Sequence, residues 1–216
     1  LAEVWQDSAV APRERELWIG AVCVPLDGEV VCGDGFAYAI QPEAARASVL
    51  IVDGLGHGQG AADATFAAIS SFRAHAAMSP QVIVERMHEA LRSSRGAAVA
   101  VVELSTTNRQ LRFIGVGNCV GMILGGARTQ SLASYNGIVG ARLPRLHEFS
   151  YAWPEQGLLI LHSDGASARW NLDVYPGLLR RHPSVIAAIV YRDFSRRRDD
   201  VTVLAVKPAG AYVPLS

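Results

Sequence analysis

Apolar and polar positions along this chain change over in short runs broken by glycine, proline and aspartate, the pattern of many short strands. Leu17 to Pro25 (LWIGAVCVP) reads as a first strand. Asp27-Gly28 is a hairpin signal, which makes Glu29 to Cys32 the return strand. Gly33-Asp34-Gly35 interrupts it, Phe36 to Ile40 continues as strand, and Gln41 to Ala47 forms a loop. The run from Ser48 to Val52 is rich in β-branched residues and suits a strand buried on both faces. It ends in Asp53 and then Gly54, Gly56 and Gly58.

From Gly60 to Ala77 the period lengthens. Ala62, Phe66, Ile69, Phe72 or Arg73, and Ala76 recur on one face of a helix. Ser79 then supplies an N-cap ahead of Pro80 at the first helical position, and Ile83, Met87 and Leu91 line a second helix. Two amphipathic helices in succession predict a pair lying side by side on a sheet. Strands resume at Gly96 to Leu104, Gln110 to Gly117 and Cys119 to Leu124, separated by short polar turns as in an antiparallel meander. Ala127 to Gln156 has no sustained period and predicts loops with one or two short strands. Gly157 to Ser163 is a core strand leading into Asp164-Gly165. A helix begins at Ser184, with Val185, Ile189 and Val190 apolar, and Val201 to Val206 is the last strand.

The order lacks strict βαβ alternation, which argues against a doubly wound parallel sheet. It fits an α+β fold in which two mainly antiparallel sheets lie face to face and helices cover the outside, a four-layer α-β-β-α sandwich. Residues 1–16, mixed and charged, read as an N-terminal extension or linker. Residues 17–207 read as the domain, and residues 208–216 as a tail.

Composition narrows the partners. The chain has 216 residues, half of them apolar, with 20 basic and 20 acidic side chains. A balanced charge gives no global field to recommend nucleic acid or an anionic membrane. Arg196-Arg197-Arg198 adjoins Asp199-Asp200 and reads as a solvated turn. Cys23, Cys32 and Cys119 are odd in number and lack C-x-x-C spacing, which fits a reducing, cytoplasmic compartment and argues against zinc. Each is expected to behave as a small core residue. There is no run long enough to span a membrane and no signal-peptide pattern at the start. The first residue is Leu, which leaves room for processing or a longer parent chain.

Chemistry enters with the acids. A core strand delivers Asp53 to its tip beside the Gly54 carbonyl, a donor set that suits a hard divalent cation. An Asp-Gly turn at a strand end is common, and alone it says little. Asp34, Asp164 and the pair Asp199-Asp200 also sit at strand edges. Four such acids at one end of a sandwich would repel without cations, and oxygen-only ligands favour Mg²⁺ or Mn²⁺. Two such ions about 4 Å apart can hold a bridging water, lower its pKa and stabilise in-line displacement at phosphorus.

The segments GDGF, IVDGLGHG, RGAAVAVVEL, FIGVGN, LHSDG and RDDVTVLAV occur in the order found in the metal-dependent protein phosphatase (PPM) family. From about Val24 to Val206 the chain resembles the SpoIIE-type branch of that family, and within it the small RsbX-type phosphatases of bacterial stress signalling. The resemblance implies a β-sandwich flanked by helices and a dinuclear Mn²⁺ or Mg²⁺ centre. It implies that Asp53 bridges both ions and that Gly54 offers its carbonyl to one, directly or through water. Asp164 and Asp199 then complete the other site, and Asp34 acts mainly through metal-bound water. Asp53, Asp164 and Asp199 are thus the implied catalytic set. Asp200 ranks below Asp199, since many members carry Asn there. The implied substrate is phosphoserine or phosphothreonine of a STAS-domain protein. The chain is also similar to phosphatase halves fused to a histidine-kinase-like ATPase domain, so a fused or associated kinase domain belongs to the same expectation.

Two departures limit the transfer. Many eukaryotic members place an acid-acting His two residues after the bridging Asp, where this chain has Leu55. His57 is expected instead to support the turn or the helix start. Those members also bind phosphate with an N-terminal Arg, for which Arg13 and Arg15 are candidates by location only. His162 reads as a hydrogen-bonded core histidine and Asn118 as a turn residue. Trp153 and Trp170 are candidates to cover the site or meet a partner. Two other functions compete: a catalytically weak module that binds a signalling partner, and a metal-dependent hydrolase of small phosphoesters.

Overall fold

The computed structural model describes residues 17–125 and 129–209. Arg13, Arg15, the rest of the N-terminal extension and all but the start of the tail lie outside them. The strands are β1 (Leu17–Val24), β2 (Asp34–Gln41), β3 (Arg46–Gly54), β4 (Ala97–Ser105), β5 (Gln110–Val116), β6 (Val120–Leu124), β7 (Gln130–Ser131), β8 (Ser134–Tyr135), β9 (Phe149–Ala152), β10 (Leu158–His162) and β11 (Val201–Pro208). The helices are α1 (Gln59–His75), α2 (Pro80–Ala90) and α3 (Pro183–Phe194).

Two sheets result. One runs β1-β11-β10-β6-β7, and the other runs β2-β3-β4-β5-β8 with β9 also on β5. The strand β3 shows why the sheets stack. Its side chains alternate, so Val49 and Ile51 enter the core between the sheets while Leu50 and Val52 face α1 and α2. The inter-sheet core is completed by Leu159, Leu161, Leu204 and Val206 from β10 and β11. On the other face of those strands Ile160, Val203 and Ala205 meet Ile186, Ala187 and Val190 of α3. The layers are therefore α-β-β-α, as the run order predicts.

Several local expectations are corrected. The segment Glu29 to Cys32 is not a return strand. Asp27-Gly28 does turn, with Glu29 N–H donating to Leu26 O at 2.9 Å, but the chain then crosses to the other sheet. β1 pairs instead with β11, Leu17 opposite Pro208 through Val24 opposite Val201. The buried face of α1 is Ala61, Ala64, Thr65, Ala68, Ser71 and Phe72, while Phe66 is 72% exposed. Small residues fill the first turns of that face because the start of the helix lies close to the end of β3: a Cβ on Gly54 would stand 2.3 Å from Ala61 O, whereas Phe72 is buried farther along. Ser79 does cap α2, accepting from Val82 N–H at 3.4 Å, but the cap of α3 is His182, whose Nδ1 accepts from Ser184 N–H at 3.2 Å. The described residues of the region 127–156 contribute three short strands. Among the described residues no helix is long and apolar enough to cross a membrane.

Candidate metal centre

Alternation along β3 puts Asp53, two residues beyond Ile51, on the inter-sheet face. Antiparallel pairing puts Asp34 directly opposite it, at the first position of β2. Asp164 follows the end of β10, and Asp199 and Asp200 immediately precede β11, which is antiparallel to β10. The predicted acids thus arrive from both sheets at one end of the sandwich. Two glycines let the loop between β3 and α1 turn there. Gly58 takes φ +70° at the N-cap of α1, and Gly54 has no room for a side chain.

The acids act on one another's charge. Asp34 is pushed up to about 9, first by burial and next by Asp53, with the Ser163 hydroxyl opposing the rise. Asp53 is pushed up to about 7 by burial and then by the charges of Asp164, Asp199 and Asp200. Asp199, more exposed, is raised by burial and by Asp164 and Asp200. Among the described residues no three His, Cys, Asp or Glu side chains are already gathered as metal ligands. The donor chemistry nonetheless fits divalent cations. Asp34 Oδ2 is buried with no hydrogen-bond donor, and crowded carboxylates without such donors stay ionised only beside positive charge.

Asp200 is different. Its Oδ1 accepts from Leu26 N–H at 2.8 Å and its Oδ2 from Gly33 N–H at 2.9 Å. Both oxygens are spent on the backbone of the crossing segment. Gly33 is in turn the junction of the site. Its carbonyl accepts from Gly54 N–H at 3.0 Å and from the Thr65 hydroxyl of α1.

Other expectations resolve one by one. His57 Nδ1 lies 2.6 Å from Glu29 Oε1, a contact that ties the glycine loop to the crossing segment. His162 is buried, with Nδ1 2.8 Å from Ser163 O and Nε2 accepting from the Trp170 indole at 3.3 Å. Trp170 packs on the α3 side, and Trp153 is buried between the sheets, so Trp153 does not cover the site. Asn118 is more than a turn residue: its Nδ2 donates to Asp164 Oδ2 at 2.6 Å. Strand parity was the available signal, because β5 runs in the same direction as β3 and ends at the same edge. Glu29 was missed, as was the meeting of Cys23 and Cys32. Those two thiols are half-buried with sulfurs 3.5 Å apart, and only Cys119 is a core residue.

Comparisons with known proteins show what the chain as a whole is similar to. The family model for stage II sporulation protein E (SpoIIE) matches residues 43–208. The phosphoserine phosphatase RsbX of Bacillus subtilis (strain 168) is 24% identical over 182 residues, covering 82% of this chain and 88% of the relative. A chain from a structure of the bacterial stressosome superposes with TM-score 0.81 at 26% identity, covering 89% of this chain and 100% of that one. A crystal structure of RsbX in complex with magnesium gives TM-score 0.80 at 18% identity, over 96% and 99% of the two chains.

Proposed function

Because this chain belongs to the SpoIIE family, we propose that it is a metal-dependent phosphoprotein phosphatase hydrolysing phosphoserine or phosphothreonine in a bacterial regulatory cascade. The observation that carries this reading is the facing pair Asp34 and Asp53, with a buried carboxylate oxygen that no protein donor reaches. Asp53, Asp164 and Asp199 would hold two Mn²⁺ or Mg²⁺ ions, with the Gly54 carbonyl and Asp34 as supporting oxygen donors. Bound there, such ions supply an activated water and neutralise charge on the phosphoryl group.

The chain's own residues arrange the rest. Asn118 occupies one oxygen of Asp164, which fixes the direction of the other. Asp200 fastens the crossing segment so that Asp34 begins β2 opposite Asp53. His57 is engaged by Glu29 and is assigned the holding of the loop, with no role in proton transfer. The partner that best suits the likeness to RsbX and to the stressosome chain is a phosphorylated STAS-domain protein, met in the cytoplasm, with its kinase a fused or associated ATPase-type domain.

The test uses the purified full chain and Mn²⁺. Release of phosphate from a phosphorylated STAS-domain protein is expected, with kcat/KM at least on the order of 10²-fold above p-nitrophenyl phosphate, because only a protein substrate has remote contacts to position the ester. A chelator should abolish both activities. Hydrolysis that survives chelation, or no hydrolysis of any phosphoprotein, overturns the proposal.

A further inference from the structure

Two thiols meet at the edge of the candidate metal centre, and the proposed chemistry uses neither. Cys23 lies in β1, locked into the ladder with Thr202 of β11 opposite it. Cys32 lies nine residues on, in the crossing segment, two positions before Asp34. Their sulfurs are 3.5 Å apart, and Cys23 Sγ is 3.6 Å from the Asp34 carbonyl oxygen. Both residues are half-buried. A small oxidant can reach them without unfolding the sandwich.

We propose that Cys23 and Cys32 are a modification site, a dithiol that hydrogen peroxide converts to a disulfide and that a dithiol reductant restores. The step balances. One thiol sulfur attacks a peroxide oxygen, breaking the O–O bond, to give a sulfenic acid and one water. The second thiol sulfur then attacks the sulfenic sulfur, and hydroxide leaves with the thiol proton as a second water. The two sulfurs together lose two electrons, which reduce the peroxide. Disulfides of reducing compartments are characteristically of this transient, sensing kind.

The location gives the bond a consequence. An S–S bond is about 2.05 Å long, so the sulfurs must close by roughly 1.5 Å. Cys23 is held in a regular ladder, so the movement falls on Cys32 and on Gly33 next to it. Gly33 has no slack. A Cβ there would stand 2.7 Å from both Asp200 Oδ2 and the Ala61 methyl, and its N–H and C=O are both bonded. Displacement of Cys32 is therefore passed to Asp34. Oxidation weakens Mn²⁺ binding, an effect that rests on the metal reading above, whereas the disulfide itself does not.

The experiment treats the full chain with hydrogen peroxide, then digests it unreduced with a protease cutting after glutamate. Cleavage at Glu29 separates the two cysteines, so a disulfide appears as a linked pair of peptides that dithiothreitol releases. Calorimetry with Mn²⁺ alone should show affinity about tenfold lower in the oxidised protein, the scale of disturbing groups behind metal ligands, and recovered on reduction. Cys23→Ser and Cys32→Ser should each abolish the linked peptide and the loss of affinity, while Cys119→Ser behaves as the parent. Absence of the linked peptide overturns the proposal, as does a linked protein whose Mn²⁺ affinity is unchanged. Loss of affinity in Cys23→Ser also overturns it. Reduced parent protein that binds no Mn²⁺ would instead overturn the proposed function, leaving the linked peptide to decide the dithiol.

Discussion

Asp34 and Asp200 are both buried aspartates at the same end of the sandwich, yet they live under opposite conditions. Asp200 has a backbone N–H on each oxygen. Asp34 has a carboxylate partner, Asp53, facing it across the ladder, and one oxygen with no donor at all. A buried carboxylate supplied with donors is a structural tie, because hydrogen bonds compensate its desolvation. One with an oxygen left without a donor is kept at a cost to the fold, and cation binding is the use that such a cost suits. Proximity to the site therefore does not make an acid a ligand. Its donors do.

The largest effect is expected where the paired acids are broken, at Asp53. Asp53→Ala should lower Mn²⁺-dependent kcat by on the order of 10³-fold or more, beyond the usual loss for a single electrostatic group, while the metal-free protein stays as stable as the parent or gains stability. Turnover near normal in a folded variant would show that the paired acids are not the metal-holding set.

Asp200→Ala should do the reverse. It leaves two backbone N–H groups in and beside the interior without acceptors, and should cost about 2–4 kcal/mol in urea denaturation. An Asp200 variant as stable as the parent would show that the two backbone bonds do not tie the crossing segment.

A pH series sharpens it further. Asp34 at about 9 and Asp53 at about 7 lie above the ordinary aspartate value in the folded protein. The metal-free fold thus binds more protons than the unfolded chain between about pH 4 and these values, so its stability falls as pH rises through that window. The melting temperature without metal is expected to drop from pH 5 to pH 9. Asp34→Asn should flatten much of the slope, and saturating Mn²⁺ most of it. A metal-free melting temperature that climbs over this range would contradict the crowding.

The smallest effect is expected at His57. Held by Glu29, it should tolerate His57→Gln with kcat lowered less than about threefold and the pH–rate profile unchanged in shape. A fall of about 10²-fold, the scale of a general acid, would return a proton-transfer role to it.

What the sequence made legible follows from range. The strand carrying Asp53 announces itself through an apolar run ended by glycines, a local signal, and strand-edge position alone assembled the acids. The hairpin expected over 29–32 failed because the local turn is real but the next pairing is decided far along the chain, where Asp200 captures Leu26, 174 residues away, and Gly33, 167 residues away. The face of α1 was misjudged for a related reason. Phe66 fits the period, yet the face that packs on the sheet is the one carrying Ala61, Ala64, Ala68 and Phe72, and Phe66 is left exposed. Asn118 and the Cys23–Cys32 contact are products of strand order, which spacing along the chain does not encode.

The pairing of β1 with β11 also sets a timetable. Ribosomes release roughly 5–20 residues per second, so β2 through β5 can form their meander while β11 has yet to be made. Until β11 arrives, β1 lacks its neighbour, and Asp34 and Asp53 face each other without Asp199 or Asp200. The end of the sandwich that gathers the acids is thus among the last parts of the domain to close during synthesis. A nascent chain stalled before residue 199 would carry the β2–β5 strands without the acids that precede β11.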